Sequence, residues 1–158
     1  MALYRDGRIR IRSWPTLAGE TQEMDAWRQT PPCLVEQGTL NPLLPTEHTT
    51  RKWGAAQGGD REIRRSALAI DAGGRSLIYA FGDWVTATLL AEALALAGAQ
   101  DAAELDINWS YTKFYFIEHP EGAPPRIGST IIEKAEYSPS NYISKPSHRD
   151  FFYLTRKP

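Results

Sequence analysis

The stretch from Ser66 to Asp106 constrains the fold more than any other part of the chain. Ser66-Ala67-Leu68-Ala69-Ile70 is a short apolar run closed by Asp71-Ala72-Gly73-Gly74, and Arg75 to Phe81 follows it. Two apolar runs around a turn of this composition read as a β-hairpin. Gly82-Asp83-Trp84 then leads to Thr86, a suitable helix N-cap. Leu89, Leu90, Ala93, Leu94 and Ala97 recur at helical spacing, and Gly98 stands where a left-handed C-cap belongs. Ala102 to Ile107 reads as a further buried strand. Strand, helix, strand is a crossover unit, expected to be right-handed and parallel. The expected fold class is therefore α+β: a mixed β-sheet with one clear amphipathic helix and long loops.

The flanking segments are less regular. Arg8-Ile9-Arg10-Ile11-Arg12 alternates perfectly, giving a strand with one apolar and one cationic face. Asp6-Gly7 before it is a hairpin-turn dipeptide, with Ala2-Leu3-Tyr4 as the preceding strand. From Trp14 to Asp60 five prolines break any long element, leaving a short helix around Thr21 to Trp27 and an apolar run from Leu34 to Gly38. Lys113 to Glu118 is an aromatic strand followed by the turn Gly122-Ala123-Pro124-Pro125. Thr130 to Ile132 and Phe151 to Thr155 read as strands, with a polar loop between them.

With 158 residues the chain fits one domain and needs no disulfide or metal to fold. Its formal net charge of −1 argues against a polyanion partner, since nucleic-acid footprints are strongly basic. Cys33, the sole cysteine, permits neither an internal disulfide nor a thiolate metal cluster. Met1 to Arg12 is too charged for a signal peptide, and no apolar run reaches the length of a transmembrane helix. Five Trp and seven Tyr make the chain somewhat rich in aromatics. Such rings can grip sugars, but core packing is their commoner use and is the expectation here.

The ordered pieces of the central stretch resemble a phosphodiester glycosidase domain. That family carries an arginine-led strand, a glycine turn, a second strand, a helix of the form T-x-x-x-L-A-x-x-L and a Gly-Ala turn, then a strand ending in L-D-G-G-G-S. The corresponding residues here are Arg65 to Asp71, Gly73-Gly74, Thr86 to Leu94, Gly98-Ala99 and Leu105-Asp106. Arg28-Gln29 and Leu34-Val35-Glu36-Gln37-Gly38 are similar to its R-Q-N and L-V-x-x-G segments, and Trp53-Gly54 also has a counterpart. The resemblance covers about residues 3–111, with a β-rich extension over 112–158. Two departures stand out. Ile107-Asn108-Trp109 replaces the glycines through which backbone N–H groups approach a phosphate, and the family's upstream N-G-G-F-like segment is absent from this sequence.

The resemblance implies a hydrolase acting on a cell-envelope or extracellular glycan at the anomeric carbon, with an extracytoplasmic location. The rival expectation is a non-catalytic glycan-binding or structural domain that retains the scaffold. Asp106 is the first catalytic candidate, at the carboxyl end of a crossover strand. Asn108 lies two residues on, so a continuing strand would point both side chains the same way. Glycoside hydrolysis normally uses two carboxylates. Glu104, of the same strand parity, and Asp150, within His148-Arg149-Asp150, are the candidates for the second. By resemblance Arg65 and Arg28 would hold a phosphate, and Arg149 is a further cationic candidate. No metal-ligand spacing and no cofactor motif is present, so neither a metal nor a cofactor is expected. The partner expected is a carbohydrate or sugar-phosphate. The missing upstream strands predict an open sheet edge, and with it self-association or a complementing N-terminal segment.

Overall fold

The computed structural model describes residues 1–45, 52–56, 61–132, 143 and 150–155. The fold is α+β, as the sequence pattern predicts. It divides into two compact units, Met1–Thr112 and Lys113–Pro158.

The first unit is built on a five-stranded sheet of order β5-β4-β8-β6-β7. Its strands are β4 (Cys33–Glu36), β5 (Thr39–Leu40), β6 (Ile63–Asp71), β7 (Leu77–Val85) and β8 (Ala99–Ile107). The hairpin expected around Asp71 to Gly74 is present: Ser66 pairs with Phe81 and Ile70 with Leu77, antiparallel. Asp71 organises the turn, its Oδ1 accepting from the Arg75 and Ser76 N–H groups at 2.8 and 2.9 Å. Those bonds to the charged form hold its carboxyl below the ordinary value. The crossover is split. Both β7 and β8 run antiparallel to β6, so they share a direction but do not pair, and every ladder of the sheet is antiparallel.

Helix α2 (Ala87–Leu96) starts where Thr86 caps it, the Thr86 Oγ1 accepting from the Leu89 N–H at 3.1 Å. Gly98 beyond its end has φ +87°, the left-handed turn expected of it. Its buried stripe is Leu90, Ala91 and Leu94. Leu89, Ala93 and Ala97, expected on that stripe, are exposed instead. The stripe packs with Leu34, Val35, Ala67, Ala69, Ala99 and Ala102 on one face of the sheet. The small alanines of β6 and β8 let the helix lie close.

The opposite face carries Leu68, Ile70, Ala103 and Cys33, covered by Ile11 with Ile9 and Met1 from the N-terminal segment. That segment is a three-stranded sheet of order β2-β1-β3, formed by β1 (Ala2–Tyr4), β2 (Ile9–Arg10) and β3 (Met24–Trp27). Gly7 takes φ +86° in the turn between β1 and β2, and Asp6 accepts from the Arg8 N–H. The helix expected near Thr21 to Trp27 is replaced by α1 (Trp14–Leu17), a 3₁₀ turn (Ala18–Glu23) and β3. Pairing of Met24 through Trp27 with β1 satisfies backbone groups that a short isolated helix would leave open. The loop-rich reading also missed the β4–β5 hairpin. Gln37 and Gly38, at φ +55° and +73°, make its turn, and the Gly38 N–H donates to the Gln100 carbonyl.

In the second unit, β9 (Tyr115–Glu118) pairs antiparallel with β10 (Arg126–Thr130). The strand expected at Thr130 to Ile132 lies earlier, and residues 151–155 form no strand.

Candidate functional site

Arg64 and Arg65 are consecutive on β6, so their side chains leave the sheet on opposite faces. This one alternation divides the candidate residues into two sets.

Arg65 goes to the α2 side and is 1% exposed. Its five N–H donors all have acceptors inside the protein. Nε reaches the Val85 carbonyl, Nη1 the Trp53 carbonyl and Glu104 Oε1 at 2.5 Å, and Nη2 the Gly54 and Arg61 carbonyls. Glu104 is fully buried, and its Oε2 has no hydrogen-bond partner among the described residues. Burial pushes its carboxyl up to about 7, against the pull of Arg65. Arg65 thus ties the loop at Trp53-Gly54 to β6, β8 and the end of β7. The geometry corrects its assignment as a phosphate clamp: no donor is left to give.

Asp106 goes to the other side. Strand parity predicts that it shares a face with Glu104, but the register shifts in this part of the ladder. Ala67 pairs with Glu104 whereas Arg65 pairs with Ile107, so β8 carries one extra residue between them. The bulge returns Ile107 to the α2 side, where its side chain meets Gly54. Asp106 instead lies near Tyr79, whose ring packs in the opposite layer. The Asp106 carbonyl accepts from Ser66 Oγ at 2.8 Å, fixing the bulge. Its carboxylate is half-buried and makes no ion pair or hydrogen bond among the described residues.

Around Asp106 the sheet face is polar and aromatic. Arg64 lies over the Phe81 ring, 5.1 Å from its centroid, and its Nη2 donates to Asp83 Oδ2 at 2.7 Å. The Arg64 Nε is buried without an acceptor among the described residues. Burial raises the Tyr79 pKa; Ser66 opposes the rise and the Asp106 charge adds to it. Three neighbouring strands carry this set, a span of roughly 10 Å from β8 to β7. Much of this face is covered: Ser66 is 2% exposed and the Arg64 side chain 15%, while Asp106, Tyr79 and Phe81 are half-buried and Asp83 is exposed. Among the described residues, recesses of about 250 and 180 Å³ lie along Tyr4–Arg8 and between Gly7–Ile9 and Gly74–Leu77, away from this set.

The remaining candidates are dispersed. Asn108 does not continue the strand: at φ +70° it turns the chain, taking a bond from its N–H to the Arg64 carbonyl at 2.7 Å. Its own carbonyl accepts from the Tyr111 and Thr112 N–H groups, so it is a turn residue that does not share Asp106's direction. Arg28 closes the end of β3, where its N–H donates to the Met1 carbonyl. Asp150 is exposed and belongs to the second unit, and His148 and Arg149 lie outside the described residues. Among the described residues no group of three or more His, Cys, Asp or Glu is placed to hold a metal ion.

The aromatic residues also depart from expectation. Trp53 is buried, donating from Nε1 to the Pro32 carbonyl at 2.9 Å. The other four tryptophans, Trp14, Trp27, Trp84 and Trp109, are each more than half exposed. Core packing, the expected use, accounts for one of the five. Trp14 and Trp27 lie against each other, ring centroids 5.7 Å apart.

No family model matches the chain, and no curated protein does. One solved structure, a hypothetical protein from Synechocystis, is similar at 26% identity with a TM-score of 0.38. The match covers 50% of this chain and 15% of that one, so the chain spans a small part of its length. No helix among the described residues is long and apolar enough to cross a membrane.

Proposed function

We propose that this chain is a carbohydrate-binding domain that retains a phosphodiester-glycosidase-like scaffold and holds its ligand without cleaving it. The observation that carries the reading is the separation of Glu104 from Asp106 by the sheet itself. Glycoside hydrolysis needs two carboxyl groups flanking one bond, roughly 5–9.5 Å apart. Here one is sealed under α2 with Arg65 and the other stands on the opposite face. The loss of the family's glycines from the turn after Asp106 points the same way, because Asn108 spends its backbone on the turn. In favour of a sugar ligand stand the aromatic rings beside Asp106 and the four exposed tryptophans, since an aromatic ring presents a flat apolar face to a sugar and tolerates water at its edge. The resemblance carries with it an extracytoplasmic setting.

The test is a saccharide panel combined with aryl glycosyl phosphodiesters. Saturable binding, weakened by Asp106→Asn and without release of the aryl group, is the expected result. Turnover that disappears in Asp106→Asn would establish the hydrolase instead. Failure to bind any saccharide would remove the carbohydrate reading.

A further inference from the structure

We infer that the Asp106 face selects a saccharide bearing a free amine, an amino sugar in its ammonium form, over neutral and phosphorylated ones. The inference rests on the carbohydrate reading above and names the ligand class of the same face.

The charge arrangement carries it. Arg64 is the cation of this face, and it is already committed. Its Nη2 is paired with Asp83 at 2.7 Å, and its guanidinium carbon lies over the Phe81 ring, 5.1 Å from the centroid. Asp106 is not committed. It is half-buried, and among the described residues nothing neutralises its carboxylate, while Ser66 and Thr112 bond its backbone carbonyl. The set Arg64, Asp83 and Asp106 therefore sums to one excess negative charge. A phosphate brought here would meet an unpaired carboxylate and a guanidinium that must first leave Asp83. An ammonium group would meet the reverse: a free acceptor in a partly desolvated place, where a charge-assisted hydrogen bond gains strength.

The neighbouring rings add to the preference. Tyr79 stands beside Asp106 and Phe81 beside Arg64, both half-buried on the same face. An aromatic face attracts a cation electrostatically and accommodates the apolar face of a pyranose, so one ring can serve both parts of an amino sugar. Arg64 on Phe81 is an internal example of that attraction.

The experiment compares four probes by calorimetric titration: a glucosamine tetramer, its N-acetylated form, a glucose tetramer and glucose 1-phosphate. The glucosamine tetramer is expected to bind about tenfold more tightly than the other three, the scale of one charge-assisted hydrogen bond. Asp106→Asn is expected to abolish that margin, and added salt to shrink it. Arg64→Gln is expected to tighten glucosamine binding, because it frees Asp83. Equal binding of the glucosamine and glucose tetramers, or a margin that survives Asp106→Asn, would overturn the inference while leaving the carbohydrate reading in place. Preference for the phosphate would overturn it as well. Failure of all four probes would remove both.

Discussion

Two arginines one peptide bond apart show how differently this molecule treats the same side chain. Arg65 is sealed beneath α2, with every donor matched to a carbonyl or to Glu104. Arg64 lies on the other face, against a phenyl ring and a partly exposed carboxylate, with one nitrogen unmatched among the described residues. The first arrangement is what folding needs, since a buried charge without complete partners is expensive. The second leaves the Asp83 carboxylate and part of the Phe81 ring within reach of water. The sheet is the partition, and the bulge at Leu105–Asp106 decides which side each carboxylate of β8 reaches.

The comparison can be broken most severely from the α2 side. Glu104→Ala leaves the buried Arg65 guanidinium without its carboxylate and is expected to cost about 3–5 kcal/mol, measured by urea unfolding. Leu94→Ala, in the same layer, is expected to cost about 2–5 kcal/mol, depending on how far α2 settles into the space. On the open face, Phe81→Ala is expected to lose less than Leu94→Ala, because the ring keeps part of its surface in water.

The acid titration of Glu104 sharpens the contrast. Its carboxyl is raised from 4.5 to about 7 in the folded chain. The native state therefore holds the proton more tightly, and the stability this contributes is full below 4.5 and lost as pH rises through about 7. Unfolding midpoints taken at about pH 5 and pH 8 should fall more in the wild type than in Glu104→Gln. A slope unchanged by the substitution would show that Glu104 is ionised throughout. The smallest effect belongs to Asp106→Asn, expected to stay within about 0.5 kcal/mol in stability, since the carboxylate supports no contact of the fold. Its consequence is reserved for ligand binding.

Much of this architecture is legible from the sequence. The hairpin around Asp71, the Thr86 cap, the Gly98 terminus and the Asp6-Gly7 turn each rest on local chemistry, and each is where that chemistry puts it. The exposed Leu89 and Ala93 show the limit of periodicity on a helix rich in alanine and leucine, where several stripes fit equally well. The candidate site was legible only in part. Asp106 stands at the end of β8 as expected, but parity counting carried Glu104 with it across a bulge that leaves no mark in the sequence. Arg65 attracts attention as an arginine opening an apolar strand, but it shares the side of Ala67 and Ala69 and is buried with them. Arg64, Tyr79, Phe81 and Asp83 were missed as a group because they meet across strands, although the two-residue period of β6 and β7 would have gathered them.

The central claim is that neighbouring arginines on one strand serve opposite ends, and paired substitutions test it most directly. Urea midpoints of Arg64→Gln and Arg65→Gln should differ widely. Arg65→Gln is expected to lose about 3–5 kcal/mol, as a buried pair broken from one side does. Arg64→Gln is expected to lose less, about 1 kcal/mol, because Arg64, though itself only 15% exposed, pairs with an Asp83 that is 42% exposed and screened by water. If Arg65→Gln is too unstable to purify, Arg65→Lys gives the same ranking, since one ammonium cannot reach five acceptors on different segments. Equal losses, or a larger loss from Arg64, would contradict the account.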